Sequence, residues 1–190
     1  MKNDLSNEQQ QKLLTLARET ISCRVNNRKD FPEGDQDPAF LQRLATFVTL
    51  KISGKLRGCI GNLEPVSTLW DGVKNNALSA AFNDHRFSPL SAEELENVDI
   101  DISVLSLPAP LEYSNYLDLE EKLRPGIDGV ILQDGARGAT FLPQVWEQLP
   151  SVDLFLGHLC RKAGLTETAW RERVLSIQTY QVLCFHEEKR

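Results

Sequence analysis

The stretch from Val48 to Pro65, VTLKISGKLRGCIGNLEP, leaves this chain the fewest options. Apolar and polar residues alternate on both sides of Ser53-Gly54. That is the pattern of two half-buried strands joined by a tight turn, with glycine supplying a positive φ. The second arm carries Arg57-Gly58-Cys59-Ile60-Gly61. Glycine weakens a strand, because it loses the most backbone freedom on ordering and offers nothing to pack. Two glycines around one cysteine therefore mark a place where backbone or a ligand must come close. Strict alternation sets Arg57 and Cys59 on one face and Leu56 and Ile60 on the other. A guanidinium beside a thiol favours the thiolate.

The flanking segments read as further elements of an α+β domain. Ser6 with Gln9 forms a capping box, and Leu13, Leu16, Ala17, Thr20 and Ile21 recur at helical spacing over residues 7–22. Ser67 or Thr68 caps a second helix that turns Leu69, Val73, Ala77, Ala80 and Ala81 to one side. NDHRFSP, residues 83–89, is a loop. Ser91 with Glu94 is another capping box. Residues 98–107 alternate as a half-buried strand that Pro108 and Pro110 stop. The second half echoes the first. Val130–Gln133 resembles Val48–Lys51, Asp134-Gly135 is a turn, and Arg137-Gly138 matches Arg57-Gly58, which sets Ala139 in the place of Cys59. Ser151 caps a helix with a continuous apolar stripe closed by Gly164, and residues 174–185 form one closing strand. We therefore expect two hairpin–helix–strand repeats, occupying residues 1–110 and 111–190 as lobes of a single domain.

Bulk properties narrow the function. The formal net charge of −6 argues against nonspecific clamping of nucleic-acid phosphates. No apolar run approaches the ~20 residues that span a bilayer, and the polar start MKNDLSNEQQ lacks a signal-peptide core, so the expected location is cytoplasmic. The four cysteines form no C-x-x-C pair, so the spacing indicates no metal knuckle. Cys160 and Cys184 fit buried positions of a helix and a strand. No phosphate-cradling loop, dinucleotide fingerprint or radical-SAM cysteine triplet is present, and no cofactor is indicated.

LRGCIG at 56–61, AAFNDHRFSPL at 80–90, SVLSLP at 103–108, ATFLPQVW at 139–146 and HLCRKAGL at 158–165 together resemble the AMMECR domain family. The resemblance spans most of residues 45–185. It implies two β-rich repeats sharing a mainly antiparallel, barrel-like sheet with helices packed outside. It also implies membership of the AmmeMemoRadiSam system, with a Memo-like protein and a radical-SAM protein as partners. The family's motifs carry over onto Leu56–Gly61, onto Asp84, Arg86 and Phe87, and onto Thr140–Pro143.

The candidate site follows. Cys59 is a nucleophile, redox thiol or metal ligand, or a small residue packed between glycines. Arg57 would lower its pKa, and His85 would serve as its base or stand as a solvated loop histidine. Gly58, Gly61, Glu64, Asp84, Arg86 and Thr140 would bind or line the cleft. Asp84 and Arg86 equally suit an internal ion pair that holds a loop. Two functions fit. One is a thiol-dependent enzyme or enzyme component acting on a small or modified-nucleotide substrate. The other is a noncatalytic adaptor for the Memo-like and radical-SAM partners.

Overall fold

The computed structural model describes residues 5–187. Met1–Asp4, the first residues of the polar start, lie outside that range. The chain divides into two units: Met1–Ser106 with Leu183–Arg190, and Leu107–Val182.

In the first unit, α1 (Asn7–Val25) begins at Ser6 with the reciprocal capping box to Gln9. A short α2 (Pro38–Leu41) follows. Strands β1 (Thr46–Ile52) and β2 (Lys55–Gly61) form the hairpin, with both Ser53 and Gly54 at positive φ. Helix α3 (Leu69–Phe82) is capped by Thr68, and α4 (Ala92–Leu95) by the Ser91–Glu94 box. Strand β3 (Val98–Leu105) returns antiparallel to β1. Leu13, Ala17 and Ile21 of α1, Val73 and Ala77 of α3, and Val48, Leu50, Ile100 and Ile102 of the sheet form a sealed core. The small residues of α3 let it lie close to the sheet: a Cβ on Gly58 would stand 2.1 Å from the Ala80 carbonyl oxygen.

The second unit holds β4 (Ala109–Pro110), α5 (Tyr116–Lys122), the hairpin β5 (Gly129–Asp134) and β6 (Arg137–Phe141), a 3-10 turn at Pro143–Glu147, α6 (Val152–Lys162), α7 (Ala169–Glu172) and β7 (Ser176–Tyr180). Its core gathers Val130, Leu132, Trp146, Phe155, Leu159, Cys160 and Trp170. The Trp146 and Phe155 rings stack, and the Trp146 indole N–H donates to the Asp128 carbonyl at 2.7 Å.

The α+β class stands, but among the described residues, with β8 at Val182–His186, the strands form two four-stranded sheets, ordered β2-β1-β3-β8 and β4-β7-β5-β6, and neither closes into a barrel. Three local expectations also change. Ala109 and Pro110 do not merely end β3; they pair with Thr179 and Gln178 of β7. The single closing strand expected over 174–185 is two strands. β7 belongs to the second sheet, and β8 (Val182–His186) lies beside β3 in the first. Alternation continues across Gln181, so hydropathy alone does not reveal the change of sheet. Cys184 is exposed rather than core, with its sulfur 3.3 Å from the Ser103 hydroxyl, because β8 turns Phe185 inward.

Candidate functional site

The hairpin register decides which side chains share a face. Ile52 pairs with Lys55 and Lys51 with Leu56, but Leu50 pairs with Gly58 and Thr49 with Cys59. Arg57 is the extra residue of a β-bulge. Two residues on β2 therefore oppose one on β1, and the alternation resets. Leu56 and Cys59 now share the face of Lys51 and Thr49. The expectation that Arg57 lies beside Cys59 fails for this reason.

Arg57 is instead drawn away from the thiol. It is 9% exposed. Its guanidinium donates to both carboxylate oxygens of Glu94, at 2.8 and 2.9 Å, and to the Ser88 carbonyl at 2.9 Å. The Arg57 guanidinium pulls Glu94 down to about 2, helped by the Ser91 N–H, while Glu94 holds Arg57 above its ordinary value. Glu94 thus serves as the N3 residue of its own capping box and as the anchor of the bulge.

Asp84 and Arg86 do meet Cys59, through its backbone. Among the described residues β2 is the outer strand of its sheet, so the Cys59 peptide groups that point away from β1 have no strand there to bond. Asp84, 6% exposed, accepts the Cys59 N–H at 2.9 Å. Arg86 donates to the Cys59 carbonyl at 3.4 Å and to Asp84 at 2.7 and 2.9 Å. The Arg86 guanidinium, and after it the Cys59 N–H, hold the Asp84 carboxyl well below the usual carboxylate range. Both cations lie over the Phe87 ring, whose centroid is 5.7 Å from the Arg57 guanidinium carbon and 5.6 Å from that of Arg86. LRGCIG, DHRF and the Ser91–Glu94 cap are therefore one connected network.

The Cys59 sulfur emerges on the far side of the sheet from α3. There it is half-buried and accepts a hydrogen bond from the Thr49 hydroxyl at 3.2 Å. Thr49 in turn faces Asp101 on β3, and Asp101 pairs with Lys51. Gly61 lies on this face beneath the Phe47 ring, where a Cβ would stand 2.3 Å from ring atoms. The close approaches that the glycines signal are thus made by the protein itself.

The remaining predicted residues stand apart from the sulfur. His85 is exposed, and its ring makes no hydrogen bond among the described residues. Glu64 is exposed in the segment before α3. Thr140 belongs to the second unit, where its hydroxyl shares a 3.2 Å hydrogen bond with that of Tyr180 and its carbonyl accepts Lys162 at 2.9 Å. In the second hairpin Asp134 pairs with Arg137 and Ile131 with Thr140, without a bulge. The turn is Gly135-Ala136, Arg137 stands where Lys55 does, and Thr140, not Ala139, takes the place of Cys59. Among the described residues no group of three or more His, Cys, Asp or Glu could hold a metal ion.

Thr49, Glu94 and Phe87 are the participants that sequence reasoning did not assign to the site. Counting back from a two-residue turn would have paired Thr49 with Gly58. One inserted residue hides the true partner. Glu94 was visible only as a cap.

Residues 14–185 match the family model described as AMMECR1. A protein of Methanothermobacter thermautotrophicus is 37% identical over 190 residues, covering 97% of each chain. One from Thermofilum pendens is 34% identical over 199 residues, covering 96% of this chain and 92% of its own. The crystal structure of an uncharacterised protein, PH0010, from Pyrococcus horikoshii superposes with a TM-score of 0.77 at 29% identity. That match covers 97% of this chain and 94% of the other.

Proposed function

The chain belongs to the AMMECR1 family, and on that footing we propose that it is a noncatalytic module that docks a protein partner on the face of its first sheet turned away from α3. The observation that carries this reading is where the motif's ionic groups are engaged. Arg57 is held by Glu94 and Ser88 through Nε and Nη2, while its Nη1 is buried without a hydrogen-bond partner among the described residues, and Asp84 is held by Arg86 and the Cys59 N–H. The sulfur meets a hydroxyl rather than a base, whereas a cysteine nucleophile is ordinarily activated by an adjacent base. What the face presents is a mixed surface: the Lys51–Asp101 pair, Ser103 with Cys184, and Thr49 with Cys59. Charged and polar groups of this kind set orientation and choice of partner. The partners are the Memo-like and radical-SAM proteins that the family resemblance implies.

Co-purification with those two proteins tests the proposal. We expect a complex with at least one of them, weakened by the charge reversal Lys51→Glu and restored in part by adding Asp101→Lys. No complex, together with turnover by the isolated chain, overturns it. A second reading keeps Cys59 as the reactive thiol of an enzyme or enzyme component acting on a small or modified-nucleotide substrate. In its favour, the sulfur is half-buried rather than sealed, and Arg86 is held over its peptide. That reading requires turnover abolished by Cys59→Ala and preserved without partners.

We also infer that the two units descend from one hairpin–helix–strand ancestor. Each sheet runs from the second hairpin strand through the first to the returning strand, and then takes one strand from elsewhere in the chain. Both hairpins turn through two residues.

A further inference from the structure

The two outer hairpin strands are treated alike at one position. On β2 the carbonyl of Cys59 accepts the Arg86 guanidinium, and on β6 the carbonyl of Thr140 accepts the Lys162 ammonium. Cys59 faces Thr49 and Thr140 faces Ile131, which are equivalent positions counted from the two turns. Each cation also lies over a neighbouring phenylalanine ring: Arg86 over Phe87 at 5.6 Å and Lys162 over Phe141 at 5.0 Å. On β2 the adjacent N–H is taken as well, by Asp84, so that Asp84 and Arg86 together present the acceptor and donor a fifth strand would offer. The bulge at Arg57 breaks the regular edge one turn of the pleat earlier.

An outer strand with unengaged peptide groups is a template for pairing with another extended chain, and bulges and charged side chains are the usual defences. We infer that Asp84–Arg86 and Lys162 are edge guards: side chains that occupy the outward peptide groups of β2 and β6 and keep a second copy of this chain from adding a strand there. This role goes beyond the proposed docking function, which concerns the face of the first sheet and not its edge.

The test uses two separate variants of the full chain, Arg86→Met and Lys162→Met. Each keeps an apolar stem and removes the cation. The side chain of Arg86 is 56% exposed and Lys162 is also exposed, so neither change opens the core. Sedimentation velocity over a range of protein concentrations should show self-association of each variant beginning at a concentration about tenfold below that of the parent. Folding of each variant is checked by circular dichroism. Folded variants that sediment as the parent does at every concentration overturn the inference. A third measurement needs no variant. In the parent, the Cys59 amide should exchange with deuterium as slowly as amides within the sheet, although among the described residues no strand lies beyond β2. Rapid exchange there overturns the guard on β2 even where Arg86→Met fails to fold.

Discussion

A methyl group at Gly58 would drive a carbon to 2.1 Å from the Ala80 carbonyl, and the obstacle is helix backbone rather than a side chain that could swing aside. At Gly138, itself exposed, the nearest atom would be the Leu132 carbonyl oxygen, 3.3 Å away. Gly58→Ala should therefore cost about 3 kcal/mol and Gly138→Ala less than about 1 kcal/mol, as urea denaturation would measure. The thiols form a similar graded series. Cys184 is exposed, Cys59 half-buried, and Cys23 and Cys160 buried, with burial also pushing the Cys160 thiol up. Alkylation of the native protein followed by peptide mapping should label Cys184 first and Cys59 next. Cys23 and Cys160 should react more than about tenfold slower than Cys184 until the chain unfolds.

Among the elements, the segment from the end of α3 through α4 is fastened to β2 by two carboxylates, Asp84 and Glu94. Glu94 sits at about 2 against an ordinary 4.5, and Asp84 is lowered in the same direction. A carboxylate lowered in the folded state binds fewer protons there than in the unfolded chain. Its stabilisation is therefore complete above its ordinary value and is lost as pH falls through the folded value. Denaturation midpoints should drop between about pH 5 and pH 2, and Glu94→Gln should flatten that drop while lowering stability at neutral pH. Most of these elements were legible in the sequence. The capping boxes at Ser6 and Ser91, the turn at Ser53-Gly54, and the apolar faces of α1, α3 and α6 declare themselves through local chemistry. The site was half legible. The two motifs, on β2 and on the loop at 83–89, do meet, but period-two counting cannot see the bulge, so Arg57 was set on the wrong face. The split of β7 from β8 was hidden for a related reason: which sheet a strand joins is decided by remote partners, while its own alternation stays unchanged.

For the molecule as a whole, the return of β8 to the first sheet makes that unit discontinuous in sequence. Its end is tied down by Arg18, which donates to the Glu187 carboxylate and to the carbonyls of Leu95 and Val98. Glu187 also accepts the Ile100 N–H at 3.2 Å, and its own N–H donates to the Ile100 carbonyl at 3.1 Å. Glu187→Ala leaves the guanidinium with carbonyl partners alone. It should cost about 2 kcal/mol and raise amide exchange along β3 and β8, which hydrogen-exchange mass spectrometry would localise.

The same discontinuity governs how the protein can be made. When the ribosome has delivered β3, the strand that will flank it is still an entire unit away, behind Leu107–Val182. At typical elongation rates that interval is on the order of ten seconds, many times longer than a hairpin needs to form. The nascent chain therefore carries the first sheet with the β8 side of β3 unpaired through synthesis of the whole second unit.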